Sequence, residues 1–136
     1  GKKICCEFSI FAEYKFDINE ITRKLEIEPT KFYKNKKKYL PNETEFYEIK
    51  ETAWIIKFNY EESIDINDQL KKLKNIIGSK TDIILEILKT EKLECAISFG
   101  IKVYNGEYPA IYLENDMIKF LSSIDAMIDF GIYAMT

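Results

Sequence analysis

Five lysines fall within the eight positions from Lys31 to Lys38, with Phe32 and Tyr33 among them, in the stretch LEIEPTKFYKNKKKYLPNE. Such a run can hold an anion through Lys31, Lys34, Lys36, Lys37 and Lys38. Each lysine that meets a phosphate steepens the salt dependence of binding, and Tyr33 or Tyr39 can stack on a base. The same residues also suit a solvated strand edge, where lysines discourage pairing with other chains. The balance of charge favours the second use. The net charge is −3, and of twenty basic residues only Arg23 is an arginine, whereas base reading and bidentate phosphate contacts lean on arginine and non-specific binders are basic overall.

The chain has no histidine. That absence removes the commonest general base at neutral pH, the Ser-His and Cys-His nucleophile pairs and the usual imidazole metal ligand. An enzyme built here would have to use carboxylates, lysine or tyrosine, and the spacing of the acidic residues singles out no pair. Cys5, Cys6 and Cys95 include no C-x-x-C pair, so neither a metal nor a cofactor is expected. Cys6 and Cys95 fall on apolar strand faces, where thiols pack as small hydrophobes, while Cys5 points the other way and is expected to be more exposed. Three cysteines are too few for a disulfide scaffold, which fits a reducing compartment.

Tyrosine is abundant. Tyr33, Tyr104, Tyr108 and Tyr112 are candidate interface residues, since aromatics supply the anchors of protein contacts, and Tyr47, Tyr60 and Tyr133 add to the supply. The plain alternative is that each caps the core with its hydroxyl in water.

The elements that must position these residues read in order. Ile4 to Glu13 alternates as a strand with Ile4, Cys6, Phe8, Ile10 and Ala12 on one face. Asp17 and Glu20 form a capping box, with Phe16 stapled to Ile21, for a helix that ends near Glu26 before Pro29. Residues 31–39 read as an exposed hairpin or guarded edge strand with Lys34, Lys36 and Lys38 on the face of Phe32. LPNE at Leu40 to Glu43 is a turn signal, and Phe46, Tyr47 and Ile49 suggest a return. TAWIIKFNY predicts a central strand with Thr52, Trp54, Ile56, Phe58 and Tyr60 on one face and Trp54 as core anchor. Ile66, Leu70, Leu73 and Ile77 form a helix stopped by Gly78, and Thr81 or Asp82 can cap another carrying Ile84, Ile87 and Leu88. Leu93 to Val103 alternates, and Asn105-Gly106 is a type I′ turn signal that predicts a hairpin whose second strand, holding Pro109, lies at an edge. Asn115 is a natural N-cap for a helix through Ile118 and Leu121. The tail MIDFGIYAM then alternates as a terminal strand, in competition with one long helix to Ile128.

This order predicts one α+β domain over residues 1–136, with a lysine-rich loop or hairpin arm at about 31–50. Its sheet is largely antiparallel with helices packed on one face, and strand-helix-strand units near both ends hint at two ferredoxin-like halves. The longest apolar runs are too short for a membrane span or a signal-peptide core, so a cytoplasmic protein is expected.

FDINEITRKLEIEPTKFYK, the lone tryptophan strand TAWIIKF, a helical pair, an alternating strand and a closing IDFGIY together resemble the uncharacterised bacterial family called domain of unknown function 4279. The resemblance spans nearly the whole chain and rests on the helix closing in LEIEPT, on Trp54 and on the last strand through Tyr133. It implies an α+β fold and bacterial origin and carries no catalytic residues with it. The family often has a glycine after the Pro-Thr segment where this chain has Asn35 and lysines. The functional expectation is a non-enzymatic cytoplasmic module that binds a protein partner, in its most concrete form an immunity-type antitoxin. The alternatives are nucleic-acid or anionic-ligand binding through the lysine-rich stretch, and an enzyme whose carboxylate, lysine or tyrosine site the sequence does not locate.

Overall fold

The alternation along the first dozen residues becomes strand β1 (Lys2–Ala12), with Ile4, Cys6, Phe8, Ile10 and Ala12 all buried. The structure, a computed structural model, describes residues 1–39, 46–62 and 65–136, and for 35–39 and 46–50 it describes the backbone. Helix α1 (Ile18–Leu25) starts where its cap signal places it. Asp17 accepts hydrogen bonds from the Asn19 and Glu20 amides, and Glu26 closes the helix in the left-handed conformation. The capping box is half used, because the Glu20 carboxylate turns to Arg23.

Strands β2 (Lys31–Tyr39) and β3 (Phe46–Lys57) pair antiparallel, with a shift in register between Lys34 and Lys36. The expected turn at Leu40 to Glu43 lies outside the described residues. Trp54 is fully buried, sets its ring edge-on to Phe8 at 6.4 Å, and donates its indole N–H to Thr22 Oγ1 at 3.0 Å. Thr52 and Ile56 share its buried face as predicted. Tyr60 does not: β3 ends at Lys57, and the short strand β4 (Glu61–Glu62) takes over beside β1, so the period-2 phase is lost between them.

Helix α2 (Ile66–Ile77) buries Ile66, Leu70, Leu73 and Ile77 and runs through a 3-10 turn at Gly78–Lys80 into α3 (Thr81–Glu91). Neither Thr81 nor Asp82 caps α3, since the chain enters it already helical and needs no side-chain stop. Strand β5 (Glu94–Tyr104) follows, then α4 (Asn115–Ser123) and β6 (Met127–Met135). The terminal strand is therefore present and the long-helix alternative is not. Glu114, not Asn115, occupies the N-cap of α4, because Asn115 already has helical geometry as the first residue of the helix.

Among the described residues six strands form one sheet in the order β2-β3-β1-β5-β6, with β4 also paired to β1. All neighbours are antiparallel except β5 and β6, which run parallel. The first strand-helix-strand unit thus has β3 inserted between its strands, while the last has its strands side by side. The core lies between one sheet face and the helices, joining Phe8, Ile10, Trp54, Ile97 and Phe99 to Ile21, Leu70, Ile84 and Phe120.

The expected second strand of a 93–114 hairpin is absent. The turn itself forms, with Asn105 and Gly106 both at positive φ and the Glu107 amide bonded to Tyr104 O at 3.1 Å. Both edges of β5 are already occupied, however, by β1 and β6, and Pro109 lacks an amide to donate. Residues 107–114 instead run to the start of α2, where Ala110 bridges Asp65 and Asn67 bonds Tyr112 O and the Glu114 amide.

Candidate functional site

Every second residue of the central strands must face away from the helices. On that face lie Cys5, Glu7 and Ser9 of β1, Ala53 and Ile55 of β3, Ala96, Ser98, Gly100 and Lys102 of β5, and Asp129, Gly131 and Tyr133 of β6. Cys5, Ala53, Ile55 and Ala96 are buried yet stand outside the helix-facing core. Side chains lying across the sheet supply part of their cover. Lys31 Nζ reaches Glu7 Oε1 at 3.3 Å, and Tyr33 donates its hydroxyl to Glu51 Oε1 at 2.8 Å. Burial first, and then that carboxylate, hold the Tyr33 phenol well above its ordinary ionisation range.

Two glycines lower the floor of this face. Gly100 and Gly131 pair directly across β5 and β6. A methyl at Gly100 would stand 2.9 Å from Cys5 Sγ and in collision with the Tyr60 hydroxyl; one at Gly131 would stand 2.7 Å from the Tyr133 hydroxyl. The rings of Tyr60 and Tyr133 occupy the room the glycines leave. Lys102 Nζ sits 4.1 Å from the Tyr60 ring centroid, within cation–π range. Over the two glycines runs a shallow groove of about 180 Å³, lined also by Cys5, Glu7, Lys57, Ser98, Asp129 and Tyr133.

The groove brings together carboxylates, an ammonium, a hydroxyl and a thiol. Burial and a hydrogen bond with Cys5 push the Tyr60 phenol up to about 12, so it stays protonated at neutral pH and cannot accept the thiol proton. Cys6, behind the sheet, is pushed up to about 12 by burial, and so is Cys95. All three cysteines are free and buried. The expected exposure of Cys5 is thus corrected: Tyr60, arriving from the end of β3, packs over it. Among the described residues no group of three or more Cys, Asp or Glu side chains gathers as a metal site.

The residues singled out in the sequence are dispersed. Lys31 is tied to Glu7, Lys34 is exposed on β2, and Lys36, Lys37 and Lys38 occupy the same strand with side chains outside the described residues. Tyr33 and Tyr104 lie on the open face, on strands separated by β3 and β1. Tyr108 and Tyr112 lie on the exposed 107–114 segment, where the Tyr112 hydroxyl donates to Asp65 Oδ2 at 3.1 Å and is held above its usual range by that bond. What sequence reasoning missed was the glycine pair and its surroundings. A signal was present. The tripeptide Phe-Gly-Ile occurs at Phe99-Gly100-Ile101 and again at Phe130-Gly131-Ile132, and the parallel register sets the two copies side by side, with the phenylalanine rings stacked at 5.6 Å.

The family model for domain of unknown function 4279 matches residues 2–135, and the chain belongs to that family. No curated protein and no solved structure gives a significant match.

Proposed function

We propose that this member of the domain of unknown function 4279 family is a non-enzymatic module that binds a protein partner on the open face of its sheet. The observation that carries the reading is the groove over Gly100 and Gly131, where Tyr60, Tyr133 and side chains of both charge signs stand on the sheet face that no helix covers among the described residues. Rigid aromatics beside mixed charges are what a protein contact uses for anchoring and register. The protonated Tyr60 phenol beside Cys5 supports binding over group transfer. In its most concrete form the module is a bacterial, cytoplasmic immunity protein whose net charge of −3 favours a basic toxin domain.

The test is affinity capture from host lysate with nuclease present, comparing the wild type with Lys57→Glu and Lys102→Glu. The expected result is one stoichiometric protein that both charge reversals release. Capture that neither reversal weakens would overturn the placement on this face, and capture of nucleic acid alone would overturn the reading. Exposed Lys34, on a strand with four other lysines, favours a second reading in which that edge holds an anion. An oligonucleotide titration at two salt concentrations tests it, and no binding at low salt would end it.

A further inference from the structure

The two edges of the sheet are treated oppositely. The β2 edge carries five lysines and a register shift, both devices that discourage a further strand. The β6 edge carries neither. Its nine residues pair with β5 without a shift from Met127 to Met135, contain no lysine and no proline, and leave Phe130, Ile132 and Tyr133 exposed. An unguarded, regular, apolar edge is a template for strand pairing.

We infer that β6 pairs antiparallel with β6 of a second copy about a twofold axis through Gly131. The sequence of the strand is self-complementary in this register. Phe130 falls opposite the second copy's Ile132 on the helix-facing side, extending the row that begins with the Phe99–Phe130 stack. On the open side Asp129, the strand's one charged residue, falls opposite the uncharged Tyr133, so no like charges meet. Met127 faces Met135. Glycine faces glycine at the axis, which leaves room over the paired backbones for the ring end of each Tyr133.

The same register aligns Gly100 and Gly131 of one copy with Gly131 and Gly100 of the other. Tyr133 of each copy, its ring end over its own Gly131, then stands beside the twofold, so a second copy extends the open face as well as covering the edge. The pairing rests on the edge and its register, independently of what binds the groove.

Sedimentation velocity over a concentration series tests it, with Ile132→Asp and Tyr133→Asp as separate variants. Ile132→Asp sets a carboxylate against the Phe130 ring of the other copy at two symmetric positions; Tyr133→Asp sets a carboxylate against Asp129 at two. Each is expected to raise the dimer dissociation constant about tenfold or more. Both positions are about half exposed, at 48% and 53%, so the melting temperature of the monomer should hold. A Phe130→Cys, Ile132→Cys double variant should cross-link into a dimer under mild oxidation, which reads the register directly. A wild type that stays monomeric across the series, or a dimer that both variants leave intact, overturns the inference.

Discussion

Replacing Gln69 with glutamate should make this protein's stability depend on pH in a way that the wild type's does not. Gln69 is fully buried on α2, and its Nε2 donates to Ile4 O at 2.7 Å and to Asn59 O at 3.3 Å. It plugs the place where β3 has left β1 and β4 has only begun. Both neighbours are acceptors, which fixes the orientation of the amide. Glutamate of the same shape can serve only one carbonyl, and only while protonated, so about 1–2 kcal/mol is lost even in acid. Ionised, it would set a carboxylate against two carbonyl oxygens without water, and burial of this kind raises a carboxyl pKa by about 3 units or more. The unfolded glutamate titrates at about 4.3. A raised folded pKa means that the unfolded chain gives up its proton first. The variant therefore holds its acid stability below pH about 4 and loses about 4 kcal/mol more as pH rises through about 7. The total then approaches the whole stability of a small domain, about 5–15 kcal/mol. Urea titrations followed by Trp54 fluorescence, from pH 4 to pH 8 and always relative to wild type, give the curve. Gln69→Met is the control, costing about 2 kcal/mol with no dependence on pH. If Gln69→Glu costs the same at both ends, the side chain reaches water and the account of the β3–β4 break is wrong.

Other outcomes follow from the same contacts. Thr22→Val takes the acceptor from the buried Trp54 indole and should cost about 1–2 kcal/mol in urea, with a shift in tryptophan emission. Gly100→Ala drives a methyl into the Tyr60 hydroxyl and Cys5 Sγ and should cost about 1–3 kcal/mol; Gly131→Ala meets only the end of the exposed Tyr133 and should cost less. Cys6 and Cys95 should resist a thiol reagent at pH 8 in the folded protein, and three thiols should react once it is unfolded. Burial raises both thiols from 9.0 to about 12, so the stability they contribute is intact below pH 9 and falls as pH rises from 9 toward 12.

Local chemistry made much of the fold legible. Asp17 and Pro29 bound α1 because capping and proline sterics act within a few residues. The alternation in β1, β3, β5 and β6 and the helical spacing in α2 needed only the period of the backbone. Trp54 was a core anchor on size and setting alone. The misses share a different cause. Asn105-Gly106 makes its turn, but whether a strand follows depends on whether β5 has a free edge, and both were taken by chain segments far away in sequence. Tyr60 left the face that alternation assigned to it because β3 stops at Lys57 and β4 begins beside β1.

The candidate site was less legible still. Its floor exists because Gly100 and Gly131 meet across a parallel pair, and the repeated Phe-Gly-Ile that records this cannot announce its own register. Lysines and tyrosines were conspicuous in the sequence, yet they are scattered among an edge strand, the open face and the segment beside α2. By itself the sequence determined most of the elements, the polarity of their faces and the absence of imidazole chemistry, because these are properties of residues and near neighbours. Strand order, the burial of Cys5 under Tyr60, the paired glycines and the unguarded β6 edge were decided only by tertiary structure, since each depends on which distant segment occupies a neighbouring place in the sheet.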